Sequence, residues 1–142
     1  MSDSIFVDTN ILLYARDTSE SEKQKIAARR LDELWEKRSG RLSVQVLNEY
    51  FVNVTRKLKP GLSQEEAWDD IEALSVWEPL QIDIPLLQRG YSAQCRYGLS
   101  WWDSLIVAAA EATGCAVILS EDLAHGVDYF GIMVENPFCS IA

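Results

Sequence analysis

Four acidic residues are placed where carboxylates can do chemistry. Asp8 directly follows the apolar run Ile5, Phe6 and Val7, and Asp122 closely follows a second apolar run over residues 115–119. Asp103 comes three residues after Ser100, and Glu49 lies beside a stripe of Leu47, Tyr50 and Phe51. Hard divalent cations such as Mg²⁺ and Mn²⁺ prefer carboxylate and water oxygens, and a phosphodiester-cleaving site needs several such groups converging from different elements. Each acid also has a purely structural reading. Asp8-Thr9-Asn10 can form a turn held by side-chain-to-backbone bonds. Asp122 can cap a helix or sit in a loop, and Asp103 can close a capping box against a helix dipole. Glu49 can be a solvated helix acid.

Other chemistries find little support. His125, the single histidine, is a conceivable proton shuttle in the loop after Asp122. It has no cysteine beside it in a nucleophile motif. Neither GxxxxGK[ST] nor GxGxxG occurs, which disfavours nucleotide-driven functions. The pair Trp101-Trp102 offers stacking surface, but a position beside a core stripe explains at least one of the two rings as packing.

The elements that must position the acids are legible in the pattern. Residues 4–7 read as a buried strand with Asp8 at its carboxyl end. Ser19 and Glu22 have capping-box spacing, and Ala27, Leu31, Leu34 and Arg38 continue a helix before Gly40. Residues 41–43 are too short to assign. Leu47, Tyr50, Phe51, Val54 and Leu58 form a helical stripe that ends near Pro60-Gly61. Ser63 and Glu66 open a third helix, and residues 80–84 read as a strand. Pro85 starts a helix capped by Gly98, Ser100 starts another closed by Gly114, and residues 115–119 and 132–134 read as strands. Strands alternating with helices predict an α/β fold with a mainly parallel sheet covered on both faces, and such sheets bind ligands beyond their carboxyl ends.

The 142 residues suit one compact domain over 1–142. Three cysteines without CxxC spacing, Cys95, Cys115 and Cys139, indicate neither a disulfide framework nor a zinc knuckle. With Asp3 and Asp8 flanking the first apolar run and no basic stretch before it, a secretion signal is not indicated, so a cytoplasmic location is expected. The net charge of −9 opposes broad binding to nucleic-acid phosphates. Cations bound by clustered carboxylates would reverse that field locally.

The order of these segments resembles a PIN-domain protein of the VapC toxin type. Ile5-Phe6-Val7-Asp8-Thr9-Asn10-Ile11-Leu12 is similar to the family's opening strand, and Leu47-Asn48-Glu49 to its second acidic site. The stretch from Tyr97-Gly98-Leu99-Ser100 through Trp101-Trp102-Asp103 resembles the helix carrying the third acid, and Leu119-Ser120-Glu121-Asp122-Leu123 the strand end carrying the fourth. Each motif is weak by itself. The ordered set, spanning nearly the whole chain, is specific.

The resemblance implies a three-layer α/β/α sandwich and metal-dependent endonucleolytic cleavage of RNA, with Mg²⁺ (or Mn²⁺) held by Asp8, Glu49, Asp103 and Asp122. It adds Asn10 and Ser120 as supporting polar groups near the metal waters, although turn chemistry explains them equally. It further implies the toxin half of a toxin–antitoxin pair, a cognate antitoxin that blocks the acidic pocket with a basic side chain, and homodimerisation. Two rivals remain: a non-catalytic PIN-like scaffold for a protein partner, and a phosphoaspartate-forming α/β domain. The dehalogenase version of the latter, DxDxT, would need an acid at Asn10 and a threonine at Leu12.

Overall fold

The computed structural model describes residues 3–139. Five strands form one sheet in the order β2-β1-β3-β5-β4. They are β1 (Ile5–Val7), β2 (Gly40–Arg41), β3 (Val117–Leu119), β4 (Asp128–Tyr129) and β5 (Ile132–Glu135). All neighbours are parallel except the β4–β5 pair at one edge. The expected parallel sheet is therefore present, and the short antiparallel β4 is an addition to it. With helices on both faces the architecture is a three-layer α/β/α sandwich.

The helices are α1 (Thr9–Arg16), α2 (Ser21–Lys37), α3 (Val44–Arg56), α4 (Gln64–Leu74), α5 (Ile84–Tyr97) and α6 (Trp101–Ala112). Most begin where the sequence supplies an oxygen to accept an orphan amide. Ser43, Ser63, Asp83 and Ser100 each accept from a backbone N–H of the first turn. The Ser63/Glu66 capping box is complete in both directions. Gly98, at φ +67°, ends α5 in the left-handed conformation that costs glycine little. In α6 the run Ser104 to Ala110 is buried without interruption. A helix apolar all round belongs in an interior.

Two expectations are corrected. Ser19 and Glu22 make no capping box: α2 starts later, at Ser21, and the Ser19 amide and hydroxyl both donate to Asp17 Oδ1, at 3.0 and 2.5 Å. The nearby carboxylate outcompetes a helix start. Residues 80–84 form no strand, because Leu80 makes only an isolated bridge to Ser43, and Asp83 instead caps α5. Beyond what the pattern assigns, residues 40–41 pair with β1 as β2.

The core lies between sheet and helices, with Phe6, Val7, Ile118, Leu119 and Val134 from the strands and Val46, Tyr50, Val54 and Val107 from the helices. Among the described residues no helix is long and apolar enough to cross a membrane.

Candidate active site

Strand register places the first two polar groups side by side. Val7 is paired with Leu119 across the β1–β3 ladder, and the Asp8 amide donates to the Leu119 carbonyl at 3.0 Å. The residues that leave these strands, Asp8 and Ser120, therefore emerge as neighbours despite lying 112 positions apart. In this strand order the chain departs from β1 towards β2 on one side and returns to β3 on the other. That reversal opens a crevice at the carboxyl ends.

Asp8 is 5% exposed and every bond it makes orients it. Oδ1 accepts from the Thr9 amide at 2.8 Å as the cap of α1. Oδ2 accepts from the Ser120 hydroxyl at 2.7 Å and from Asn10 Nδ2 at 3.3 Å. Burial pushes its carboxyl up to about 6, with repulsion from Asp122 and Glu49 adding to the rise, while the bonds from Ser120 and Thr9 oppose it. Such a group is a charge waiting for a countercharge.

Asn10 and Ser120, named from sequence as supporting groups, join the two strand ends. Asn10 Nδ2 lies within 3.2 Å of Asp122 Oδ2 and 3.4 Å of Ser120 Oγ, and Asn10 Oδ1 accepts from the Glu121 amide at 2.9 Å. Ser120, fully buried, donates to Asp8 and accepts from the amides of Asp122 and Leu123 at 3.1 and 3.3 Å. Asp8 and Asp122 thus share one amide donor. The turn reading and the functional reading of Asn10 coincide, since the same bonds shape the turn and gather the acids.

Glu49 and Asp103 arrive from α3 and α6. Partial burial raises both carboxyls, and repulsion from Asp122 raises them further; Asp103 also acts on Glu49. Asp122 therefore acts on each of the other three carboxyls, Glu49 acts on Asp8, and Asp103 on Glu49. Ser100 Oγ accepts from the Asp103 amide at 3.1 Å, so Ser100 caps α6. Among the described residues no three acidic, histidine or cysteine side chains close into a ready-made cage. The donor set, all hard oxygen and drawn from separate elements, suits an ion that keeps several waters and takes one or two carboxylates directly, as Mg²⁺ does.

Sequence reasoning missed Gln45. It is 5% exposed, and its Nε2 donates to Glu49 Oε1 at 3.0 Å and to the Trp102 carbonyl at 3.2 Å, which ties α3 to the start of α6 and aims Glu49 at the crevice. The i, i+4 spacing of Gln45 and Glu49 was the available signal. The structure separates the tryptophan pair: Trp101 packs against the core, whereas Trp102 is 63% exposed. His125 is exposed, and its Nδ1 accepts from the Asn136 amide at 3.0 Å, which ties it to the end of β5. Of the four acids Glu49 alone lines a groove of about 460 Å³, which it shares with Gln45, Val52 and Trp102. A separate, mainly apolar cleft of about 210 Å³, between Leu12, Trp35, Tyr50 and Trp77, is lined by none of the four and is not where this chemistry sits.

The chain matches the family model described as PIN domain over residues 5–125, a span containing all four acids. It belongs to the PIN-domain family. Similar solved structures are FitAcB from Neisseria gonorrhoeae (19% identity, 95% of this chain and 99% of that chain, TM-score 0.64) and VapC20 of Mycobacterium tuberculosis, described as a Sarcin-Ricin loop cleaving toxin (21%, 84% and 92%, TM-score 0.64). A third is VapBC2 from Rickettsia felis bound to a promoter DNA fragment (16%, 93% and 97%, TM-score 0.63). At these identities the likeness is one of fold. Among curated protein sequences none matches. The PIN-domain match and the sheet order together support the α/β/α expectation.

Proposed function

We propose that this PIN-domain protein is a divalent-metal-dependent endoribonuclease and the toxin component of a toxin–antitoxin pair. The observation that carries the reading is the buried carboxyl of Asp8, raised to about 6 and bonded through Asn10 and Ser120 to the turn bearing Asp122. Burying an acid beside other acids costs folding free energy, and a cation is the group that would repay it.

Asp8, Glu49, Asp103 and Asp122 would hold the ion. Bound there, Mg²⁺ or Mn²⁺ would supply a water of lowered pKa and positive charge opposite the phosphate. The chain's own part is orientation: Thr9 N, Ser120 Oγ and Asn10 Nδ2 fix both oxygens of Asp8, and Gln45 fixes Glu49. Hydrolysis would leave a 5′-phosphate and a 3′-hydroxyl.

The toxin assignment draws on the similar structures, one described as a Sarcin-Ricin loop cleaving toxin and another as VapBC2 bound to a DNA fragment from their promoter. An antitoxin of opposite charge would find complementarity in a chain of net charge −9, entering the acid crevice with a basic side chain. A cytoplasmic homodimer completes the proposal.

The test is cleavage of an RNA pool with and without Mn²⁺ by the wild type and Asp8→Asn. The expected result is metal-dependent cleavage lost in a folded variant; equal activity of the two proteins overturns the assignment. The same net charge favours one alternative, a scaffold that binds a protein and no nucleic acid. Calorimetry showing no Mn²⁺ binding by the wild type would select it.

A further inference from the structure

Glu121 is an acid between Ser120 and Asp122, yet its side chain is bonded away from theirs. Oε1 accepts from the Tyr14 hydroxyl at 2.6 Å, and Oε2 accepts from Lys23 Nζ at 2.6 Å. Lys23 also approaches the Tyr14 hydroxyl at 3.3 Å and lies 4.7 Å from the centre of the Tyr14 ring. The Phe138 ring completes the enclosure, edge-on to Tyr14 at 5.0 Å. Partial burial raises the Glu121 carboxyl, but the bonds from Lys23 and Tyr14 outweigh it and hold the group below its ordinary range.

The geometry points to Tyr14, Lys23 and Glu121 as a positioning clamp that fixes the Ser120–Asp122 turn, and through it the Asp122 carboxylate, at the metal pocket. Asn10 and Tyr14 are four residues apart on α1 and so lie on the same face. Asn10 holds the turn by the Glu121 amide and the Asp122 carboxylate; Tyr14 holds it by the Glu121 side chain. Lys23 brings α2 into the arrangement and neutralises the charge that this grip requires. Among the described residues the side chains of the three bond to one another and not to the predicted ligands; they act through the turn. The inference rests on the metal-site reading above.

Removing a cation near a metal site has two opposite consequences, which makes the proposal testable. By charge alone Lys23→Met leaves Glu121 uncompensated and tightens cation binding. By loss of positioning it weakens binding, on the order of tenfold as for other partners one step removed from a metal. Mn²⁺ affinity of the full chain is measured by calorimetry at 0.15 M salt, with hydrogen exchange of the Glu121 amide followed in metal-free protein. We expect Lys23→Met and the charge-neutral Tyr14→Phe to weaken Mn²⁺ binding and expose that amide, Lys23→Arg to restore both, and Arg89→Met, whose cation pairs with Glu111 on other helices, to leave the amide protected. Tighter or unchanged Mn²⁺ binding in Lys23→Met with the amide still protected overturns the clamp. If the wild type binds Mn²⁺ and Asp122→Asn does not, unchanged clamp variants sink the clamp alone. If the wild type binds none, the metal reading falls, and unaltered amide protection in both variants then removes the clamp as well.

Discussion

Replacing Asp8 with asparagine should abolish metal-dependent activity and at the same time stabilise the metal-free protein. The carboxyl rises from 3.8 to about 6 on folding. A displacement of about two units corresponds to ~3 kcal/mol by which the ionised acid opposes folding at neutral pH. Asparagine keeps one acceptor for the Thr9 amide, but its NH2 replaces the oxygen to which the Ser120 hydroxyl donates and meets Asn10 Nδ2 at the 3.3 Å that separates it from Asp8 Oδ2, while Ser120 Oγ already accepts from the Asp122 and Leu123 amides. These two mismatches cost about 2 kcal/mol together. The net gain is about 1 kcal/mol, or roughly 2–4 °C in Tm for a domain of this size. The sign follows from the direction of the shift. A folded value above the unfolded one means the native state keeps its proton longer, so wild-type stability from this group is complete below about pH 4 and is lost as pH rises through about 6. The advantage of the variant should thus be absent near pH 4 and open fully by pH 7.5. Thermal unfolding in EDTA across this range measures it. A variant less stable than wild type at pH 7.5, or a difference that does not change with pH, would refute the reasoning that burial and repulsion hold Asp8 in a costly state.

Two further outcomes follow from neighbouring contacts. Gln45→Leu removes the donor to Glu49 Oε1 and the Trp102 carbonyl; it should lower kcat/KM on RNA about tenfold and move the Glu49-linked limb of the pH profile upward, because that hydrogen bond now opposes the burial-driven rise. Gly90→Ala should lose about 1 kcal/mol in urea unfolding: a Cβ there would come within 2.7 Å of Leu105 Cδ2, and the strain outweighs the better helix propensity of alanine. Leu105→Val in the same chain should recover part of that loss by removing the atom that clashes.

The local structure here is largely written in local chemistry. Ser63 and Glu66 announce their helix because both halves of a capping box lie within one turn, and Pro85 and Gly98 bracket α5 because their backbone constraints need no partner. The apolar runs before Asp8 and Asp122 identify the strands, since a strand buried on both faces has no polar alternation. The same reasoning fails where a neighbour outside the window decides. Asp17 draws off Ser19, and Asp83 finds a helix amide to cap, so that residues 80–84 do not join the sheet.

The candidate site divides along the same line. By its own pattern the sequence determined Asp8 and Asp122, because an acid at the carboxyl end of a buried strand in a parallel sheet is conspicuous in any chain. Glu49 and Asp103, each with a sound local explanation, were picked out only by resemblance to the family. What the tertiary structure alone decided is that Asp122 acts on the carboxyls of Asp8, Glu49 and Asp103, that Gln45 bonds to Glu49, and that Asn10 bonds to both strand ends. It also decided that Glu121, the acid nearest Asp122 in sequence, turns away to Tyr14 and Lys23. The reason is physical: these relations span separations of up to 112 positions and are set by strand order and register, which no local propensity encodes.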